Sequence, residues 1–249
     1  MQLKDIVRKV TRPLGIDVIK YRTAPQDVQP EDVALIDFVR PYTLTTPERI
    51  YAVAQATRYL VKAGIEGAFV ECGVWRGGST MAAAKTLVDL GAADREIYLC
   101  DTFEGMTKPT EADLDVQGLK ATDEFERTKT GEDSSTWVQV PLDEVKANVA
   151  KTGYDQSLVH YVKGKVEETL PENAPEKIAF LRLDTDWYES TKHEMETLWP
   201  RLVPGGVLIV DDYGHWKGSR QAVDEYIAEN NLAILLNRID YTGRLAIKP

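Results

Sequence analysis

Cysteine and histidine are scarce in this chain, whose 249 residues include two cysteines and three histidines. Cys72 and Cys100 each lie near the end of a predicted interior strand. Buried, reduced thiols in a cytoplasmic protein are the plain interpretation of such cysteines. The sequence thus lacks a set of sulfur and imidazole ligands that would favour zinc.

Positive charge and long apolar runs are also lacking. The chain has 30 basic and 40 acidic residues, a formal net charge of −10 and an isoelectric point of about 4.9. No broad basic surface is available for a phosphate backbone, so nucleic acid is not an expected partner. No apolar run approaches the roughly 18 residues that span a bilayer, and the N-terminus lacks the apolar region of a signal peptide. Stable membrane insertion is therefore not expected.

The N-terminal segment has a helical pattern. Apolar residues recur at helical spacing within residues 1–22 among Lys4, Arg8, Lys9 and Arg12, which predicts a basic amphipathic helix. Because one short helix binds membranes weakly, packing on its own chain or on a neighbouring subunit is favoured over an acidic membrane surface. We expect an N-terminal arm and linker over 1–38, with the linker proper at 23–31, and a homo-oligomer.

Strands and helices alternate over residues 39–249, which form the second predicted unit. The apolar pattern predicts seven strands, at 68–72, 96–101, 158–162, 178–183, 206–210, 232–239 and 243–248. Such alternation specifies an α/β fold with a doubly wound, mostly parallel sheet, and the short turn before the last strand requires an antiparallel pair. By fold analogy, this layout favours methyl-donor-dependent methyltransferases over dinucleotide dehydrogenases. The insertion at about 103–140 is predicted to be a partly helical lid.

A glycine-rich turn follows the first of these strands. Gly73, Gly77 and Gly78 let the backbone approach a ligand closely, but their spacing does not follow G-x-G-x-x-G. Glu71 ends the strand and would face a cationic amine, which argues against a pyrophosphate. Asp101 ends the next strand, where an acid can accept both ribose hydroxyls. Together these residues predict a site for a nucleoside-type cofactor.

Four more acids follow two downstream strands, as Asp184 and Asp186 after one and Asp211 and Asp212 after the other. Carboxylates at one sheet edge repel one another, so either one is protonated or a divalent cation lies among them. Oxygen ligands favour Mg²⁺ or Mn²⁺. Capping of the following helices would explain one acid per strand but not two.

Several motifs together resemble the macrocin O-methyltransferase family, from about residue 39 to the C-terminus. They are Arg-Pro-Tyr-Thr at 40–43, Thr-Pro-Glu-Arg at 46–49, Val-Glu-Cys-Gly-Val-Trp-Arg-Gly-Gly-Ser at 70–79, Asp-Thr-Phe-Glu-Gly-Met at 101–106, Leu-Asp-Thr-Asp at 183–186 and Asp-Asp-Tyr at 211–213. Members use S-adenosylmethionine and Mg²⁺ to methylate hydroxyls, typically on deoxysugars of natural products. The resemblance implies a glycosylated small-molecule acceptor whose vicinal diol binds the metal.

The resemblance also implies roles for individual residues. Those around the methionine part of the cofactor would be Glu71, Gly73, Gly77, Gly78 and Ser79, with Asp101 on the ribose, Val166 and Glu167 near the adenine, and Thr45 in a covering segment at 43–46. The metal would be held by Asp184, Asp211 and Asp212. Asp186 would be the base, with His193 and His215 as rivals.

Two other classes of enzyme stay open at this point. A metal-dependent glycosyltransferase would use Asp184-Thr185-Asp186 as its D-x-D motif, but this leaves Glu71 and the glycine turn without a role. An NAD-dependent oxidoreductase would use the glycine turn and leave the four downstream acids without one. Clustered acids are costly unless they have a use, so a binding module without catalytic activity is the least favoured interpretation.

Overall fold

The structure is a computed structural model that describes residues 27–249. The predicted basic helix at 1–22 lies outside the described residues. The first described helix, α1, spans Pro30–Val39, so the last two residues of the predicted linker at 23–31 belong to a helix instead. Its residues Leu35, Ile36 and Val39 are buried in the hydrophobic core. This packing ties α1 to the domain.

The second helix, α2, spans Pro47–Lys62 and begins as its sequence predicts. The Thr46 side chain accepts a hydrogen bond from the backbone N–H of Arg49, and Pro47 occupies the first turn, where no N–H donor is needed. The buried face of α2 includes Ile50, Val53 and Leu60. Helices α1 and α2 thereby cover one face of the sheet.

The sheet has seven strands, which confirms the predicted fold class. They are β1 (Ala68–Cys72), β2 (Ile97–Asp101), β3 (Val159–Lys163), β4 (Ile178–Leu183), β5 (Leu202–Val210), β6 (Asn237–Arg238) and β7 (Arg244–Ile247), in the spatial order β3-β2-β1-β4-β5-β7-β6. Strands β1 to β5 are parallel, and β7 runs antiparallel to both β5 and β6. The predicted strand at 232–239 shortens to two residues, because Leu232, Ile234 and Leu236 pack on the core beside the sheet.

The remaining helices lie on both faces of the sheet. They are α3 (Gly78–Asp89), α4 (Ala121–Thr128), α5 (Leu142–Ala150), α6 (Val166–Thr169), α7 (Tyr188–Leu198) and α8 (Lys217–Glu229). Buried residues of α3 and α5 join the core formed with α1 and α2, while those of α6, α7 and α8 form a second core on the opposite face. Within residues 27–249, no helix is long and apolar enough to cross a membrane.

The insertion at 103–140 contains α4 and is fastened to the loops that follow β4 and β5. Asp113 is fully buried, and its carboxylate accepts from the backbone N–H of Tyr188 at 2.8 Å. The Trp187 indole donates to the Thr107 carbonyl at 3.1 Å, and the Lys217 N–H donates to the Leu114 carbonyl at 2.8 Å. The insertion is therefore held at the edge of the sheet where the strands end.

Candidate active site

A cavity lies at the carboxyl ends of β1, β2, β4 and β5, where an open α/β sheet binds its ligands. Its walls come from the glycine turn, the segment at 42–45, the start of the insertion and the loops after β4 and β5. The residues with predicted roles that line it are Thr45, Gly73, Gly78, Ser79, Asp101, Val166, Glu167, Asp184, Asp186, Asp211 and Asp212. One cavity thus joins the predicted cofactor residues to the downstream acids.

The glycines of the turn pack against different parts of the structure. Gly73 has a φ of +79°, and a Cβ there would overlap the backbone carbonyl of Asp184. At Gly78, a Cβ would lie 2.5 Å from the Cβ of Thr43. These two positions bring the turn against the loop after β4 and against the covering segment. Gly77 is the N-cap of α3, with a φ of +89°, and it faces Val149 of α5 rather than the cavity.

Asp101 ends β2 and lies across from the glycine turn. Its carboxylate accepts from the backbone N–H groups of Val74 and Phe103, both at 2.6 Å. Burial raises the pKa of Asp101, and these hydrogen bonds oppose that rise by favouring the charged form. The carboxylate is therefore fixed in place at the cavity wall, with acceptor capacity left on its two oxygens.

Glu71 does not line the cavity, although it ends β1 as predicted. It is paired in register with Arg182 of β4, is only 4 % exposed, and bonds to the Arg182 guanidinium and the Thr80 hydroxyl. Burial raises its pKa, while Arg182 opposes that rise. Contact between Glu71 and a cofactor amine stays a prediction, because its carboxylate is bonded to Arg182 and Thr80 in the structure.

Arg182 is a site residue that the sequence analysis missed. It is 2 % exposed in an otherwise apolar strand, and its guanidinium contacts Glu71, Asp184 at 2.8 Å and Asp211 at 2.6 Å. A buried charge is expensive unless it is paired. An arginine within an apolar strand, beside strands that end in acids, is the sequence signal that indicates such a network.

Arg49 of α2 is the second arginine at this edge. Its guanidinium bonds to the oxygen of Asp211 that Arg182 does not contact, and it also lies 3.1 Å from Asp240 in the turn between β6 and β7. Asp211 is 2 % exposed, so two cations compensate one buried carboxylate. The predicted role of Asp211 as a metal ligand stays a prediction, since both of its oxygens are engaged by arginines here.

The remaining acids form a cluster. One carboxylate oxygen each from Asp184, Asp186 and Asp212 lies within 4.8 Å of the others, which is close enough to hold one cation. Enclosure in the cavity is the largest cause of a raised pKa at all three, and the neighbouring carboxylates raise it further. The pKa of Asp186 rises to about 8. An all-oxygen donor set fits Mg²⁺ or Mn²⁺.

The two rival histidines lie away from the cavity. The Nδ1 atom of His215 is 2.7 Å from the Tyr241 hydroxyl, and the Nε2 atom of His193 is 3.1 Å from the Leu170 carbonyl oxygen. Neither side chain is among the cavity residues. Of the three candidate bases, Asp186 alone lines the cavity in the described part of the chain.

Comparison with known proteins gives relatives that share one activity. The chain is 31 % identical to 8-demethyl-8-(2,3-dimethoxy-alpha-L-rhamnosyl)-tetracenomycin-C 4'-O-methyltransferase from Streptomyces olivaceus, over 96 % of this chain and 89 % of the relative. It is 28 % identical to mycinamicin III 3''-O-methyltransferase from Micromonospora griseorubida, over 81 % of this chain and 76 % of that protein. Both relatives are named as O-methyltransferases, and the name of the first includes a dimethoxy-rhamnosyl group.

Solved structures agree with this similarity. The O-methyltransferase NovP superposes with a TM-score of 0.71 at 27 % identity, covering 83 % of this chain and 82 % of NovP. CalS11, a calicheamicin methyltransferase, has a TM-score of 0.61 at 19 % identity over 93 % of this chain and 98 % of CalS11, which shows the shared fold. The model of the macrocin-O-methyltransferase family, TylF, matches residues 22–246. The chain therefore belongs to the macrocin-O-methyltransferase family, as its sequence motifs predict.

Proposed function

We propose that this chain transfers the methyl group of S-adenosylmethionine to a hydroxyl of a neutral, sugar-bearing natural product, with a divalent cation held by the acid cluster. The observation that carries the proposal is the single cavity that joins the glycine turn and Asp101 to Asp184, Asp186 and Asp212. An oxidoreductase would give the acid cluster no role, and a glycosyltransferase would give the glycine turn no role.

The cofactor half of the cavity fits S-adenosylmethionine. Gly73 and Gly78 line the cavity, and their close packing against Asp184 and Thr43 fixes the main chain of the turn beside the ligand space. Ser79 lies in the first turn of α3, where N–H groups favour a carboxylate. Asp101, at the cavity wall, would accept ribose hydroxyls. Val166 and Glu167, at the start of α6, complete the wall that we assign to the adenine.

The acceptor half fits a divalent cation because its donors are carboxylate oxygens. A bound cation would lower the pKa of a coordinated hydroxyl and orient it, and a vicinal diol would offer two such oxygens. Asp186 would receive the proton, since it lines the cavity beside Asp184 and Asp212. The sulfonium of the cofactor supplies the electrophilic methyl group. The shared cavity would hold donor and acceptor next to each other.

A binding experiment tests the cofactor assignment. Calorimetry with S-adenosylhomocysteine, a UDP-sugar and NAD should show binding of the first alone. Asp101→Asn removes a charged acceptor and should weaken S-adenosylhomocysteine about 10- to 100-fold, since a hydrogen bond to a charged group contributes about 1.5–3 kcal/mol. Glu176→Gln is a suitable control, because Glu176 is 90 % exposed before β4, at the far end of the strand. Tighter binding of the UDP-sugar or of NAD would contradict the assignment.

The charge of the cavity indicates a neutral acceptor. Six acidic residues line it, Asp101, Glu167, Asp184, Asp186, Asp211 and Asp212, against the three basic residues Arg49, Lys165 and Arg182, a formal excess of three negative charges. A divalent cation and the singly positive S-adenosylmethionine together balance that excess. Each basic residue already pairs with an acid, Lys165 with Asp133 of the insertion. No basic side chain of the described lining is therefore left for a diphosphate.

Acceptor charge can be tested with two forms of one sugar. A neutral rhamnoside should be methylated with a kcat/KM at least about 100-fold above that of the corresponding nucleoside-diphosphate rhamnose, because placing like charges together costs several kcal/mol. Raising the ionic strength should narrow the difference, since screening weakens the repulsion. Equal kcat/KM values at low salt would contradict a neutral acceptor and would leave the cofactor assignment intact.

A further inference from the structure

Glu194 is a buried acid that the proposed chemistry does not use. It lies on α7 and is 0 % exposed. Its Oε1 atom accepts from the Thr185 hydroxyl at 3.0 Å, and its Oε2 atom has no hydrogen-bond partner among residues 27–249. The groups that face it among the described residues are Glu167 and the thiols of Cys72 and Cys100; the Cys72 thiol offers the carboxyl group a weak hydrogen bond, and no cation offsets a charge there. An isolated buried carboxylate is expensive, and burial raises the pKa of Glu194 well above its ordinary value.

The partner of Glu194 lies within the acid cluster. Thr185 separates Asp184 from Asp186, and it lines the cavity. Asp186 has a φ of +72°, a left-handed conformation that is unfavourable for a residue with a side chain. Such a turn persists only where its surroundings hold it. On one side the Asp184 N–H donates to the Cys72 carbonyl at 2.8 Å, and on the other the Thr185 carbonyl accepts from the Trp187 N–H at 2.9 Å.

We propose that Glu194 is a positioning residue, which holds the Asp184–Thr185–Asp186 turn through the Thr185 hydroxyl and acts as a neutral hydrogen-bonding group. The contact joins two positions nine residues apart, so it fastens the turn to the body of α7. A second negative charge at this point would repel the carboxylates of Asp184 and Asp186. A neutral group fixes the backbone and leaves the charges of Asp184 and Asp186 free for a ligand.

The test compares three variants with the wild type. Glu194→Gln is neutral and keeps the acceptor oxygen, Glu194→Met keeps the volume alone, and Thr185→Val removes the hydroxyl at constant shape. Glu194→Gln should match the wild type within about twofold. Glu194→Met and Thr185→Val should each weaken Mn²⁺ binding, measured by electron paramagnetic resonance, about threefold to tenfold, the expected effect of one buried hydrogen bond. The double variant should be no worse than either single one, because both remove the same contact.

A second measurement does not depend on the proposed function, on which the Mn²⁺ assay rests. Backbone hydrogen exchange over 183–187 should rise in Glu194→Met and Thr185→Val and stay unchanged in Glu194→Gln. Unchanged exchange in Thr185→Val, or losses that add in the double variant, would overturn the positioning role. If Glu194→Gln raised exchange and weakened Mn²⁺ binding as much as Glu194→Met, Glu194 would not act as a neutral group. If Glu194→Met does not fold, the result for Thr185→Val decides whether Glu194 has the positioning role. Absence of Mn²⁺ binding in the wild type would contradict the proposed metal site and would leave the hydrogen-exchange test in force.

Discussion

Replacement of Arg182 by methionine is expected to destabilise the protein by about 3–5 kcal/mol, the cost of leaving buried charges without their partner. Arg182 is 2 % exposed and contacts Glu71, Asp184 and Asp211. Its removal therefore leaves three carboxylates without this cation. Methionine fills a similar volume, so the effect isolates the charge. Urea unfolding at neutral pH measures the loss directly.

The pH dependence of this loss has a defined sign. Without Arg182, the pKa values of Glu71 and Asp184, which burial already raises, should lie further above those of the unfolded chain. Such groups cost little stability below the unfolded pKa of about 4 and progressively more as pH rises through the folded pKa. The difference between Arg182→Met and the wild type should therefore shrink as pH falls toward 4. Arg127→Met is the control, because that arginine and its partner Glu124 lie at the surface, where such a pair contributes about 0–1 kcal/mol.

An equal loss at both arginines, or a loss that does not change with pH, would contradict the compensating role of Arg182. It would indicate instead that protonation alone stabilises the three acids, without a contribution from Arg182.

Asp184→Asn should abolish most turnover while leaving S-adenosylhomocysteine binding within a few-fold. Under the proposed function, Asp184 holds the cation at the centre of the acid cluster, and the loss of metal assistance costs several kcal/mol, or at least about 100-fold in kcat. Asparagine preserves shape and a carbonyl oxygen. The fold should therefore survive, and thermal melting should confirm this. Turnover assays and calorimetry on the same preparation separate the loss of kcat from any loss of cofactor affinity.

Asp186→Asn and Asp211→Asn separate the roles within the cluster. If Asp186 is the base, its variant should lose turnover and keep Mn²⁺ affinity within about threefold. Asp211→Asn should show whether this carboxylate, which both arginines engage, also holds the cation. Full activity of the wild type in excess EDTA would contradict metal dependence altogether.

Metal affinity should also depend on pH. The pKa of Asp186 is raised to about 8, so a cation that enters the cluster below that pH displaces a proton. If one proton is released, Mg²⁺ affinity should increase about tenfold per pH unit from 6 to 8 and level off above. Asp186→Asn should make this dependence less steep, while the raised pKa values of Asp184 and Asp212 keep part of it. Calorimetry in buffers of different ionisation enthalpy counts the protons released.

The sequence predicts the sheet and the position of the site because both depend on local patterns. Apolar strands, a capped helix after Thr46 and acids at strand ends each have a short-range signal, and parallel strands gather their ends at one edge. The direction of Glu71 could not be predicted in this way. It depends on the register that pairs Glu71 with Arg182 on β4, and that strand lies more than one hundred residues away.

The surroundings of Asp211 also depend on contacts between distant segments. Arg49 reaches it from α2, and Asp240 reaches Arg49 from the last hairpin, so the arrangement depends on three segments that are distant in sequence. The position of His193 and His215 outside the cavity lining could not be predicted for a related reason. His215 is close to Asp212 along the chain, but this does not determine where its side chain lies. Its ring bonds to the Tyr241 hydroxyl instead.

The close approach of Gly73 to Asp184 has a consequence for redesign of this enzyme. Because these two turns meet backbone to backbone, and the Asp184 N–H also bonds to Cys72, no side-chain substitution there can widen one half of the cavity independently. Variation in acceptor size must come from walls that are built of side chains. Leu44 and Val138, at the exposed mouth of the cavity, are the positions where a library would change which molecules enter while the reacting geometry stays constant.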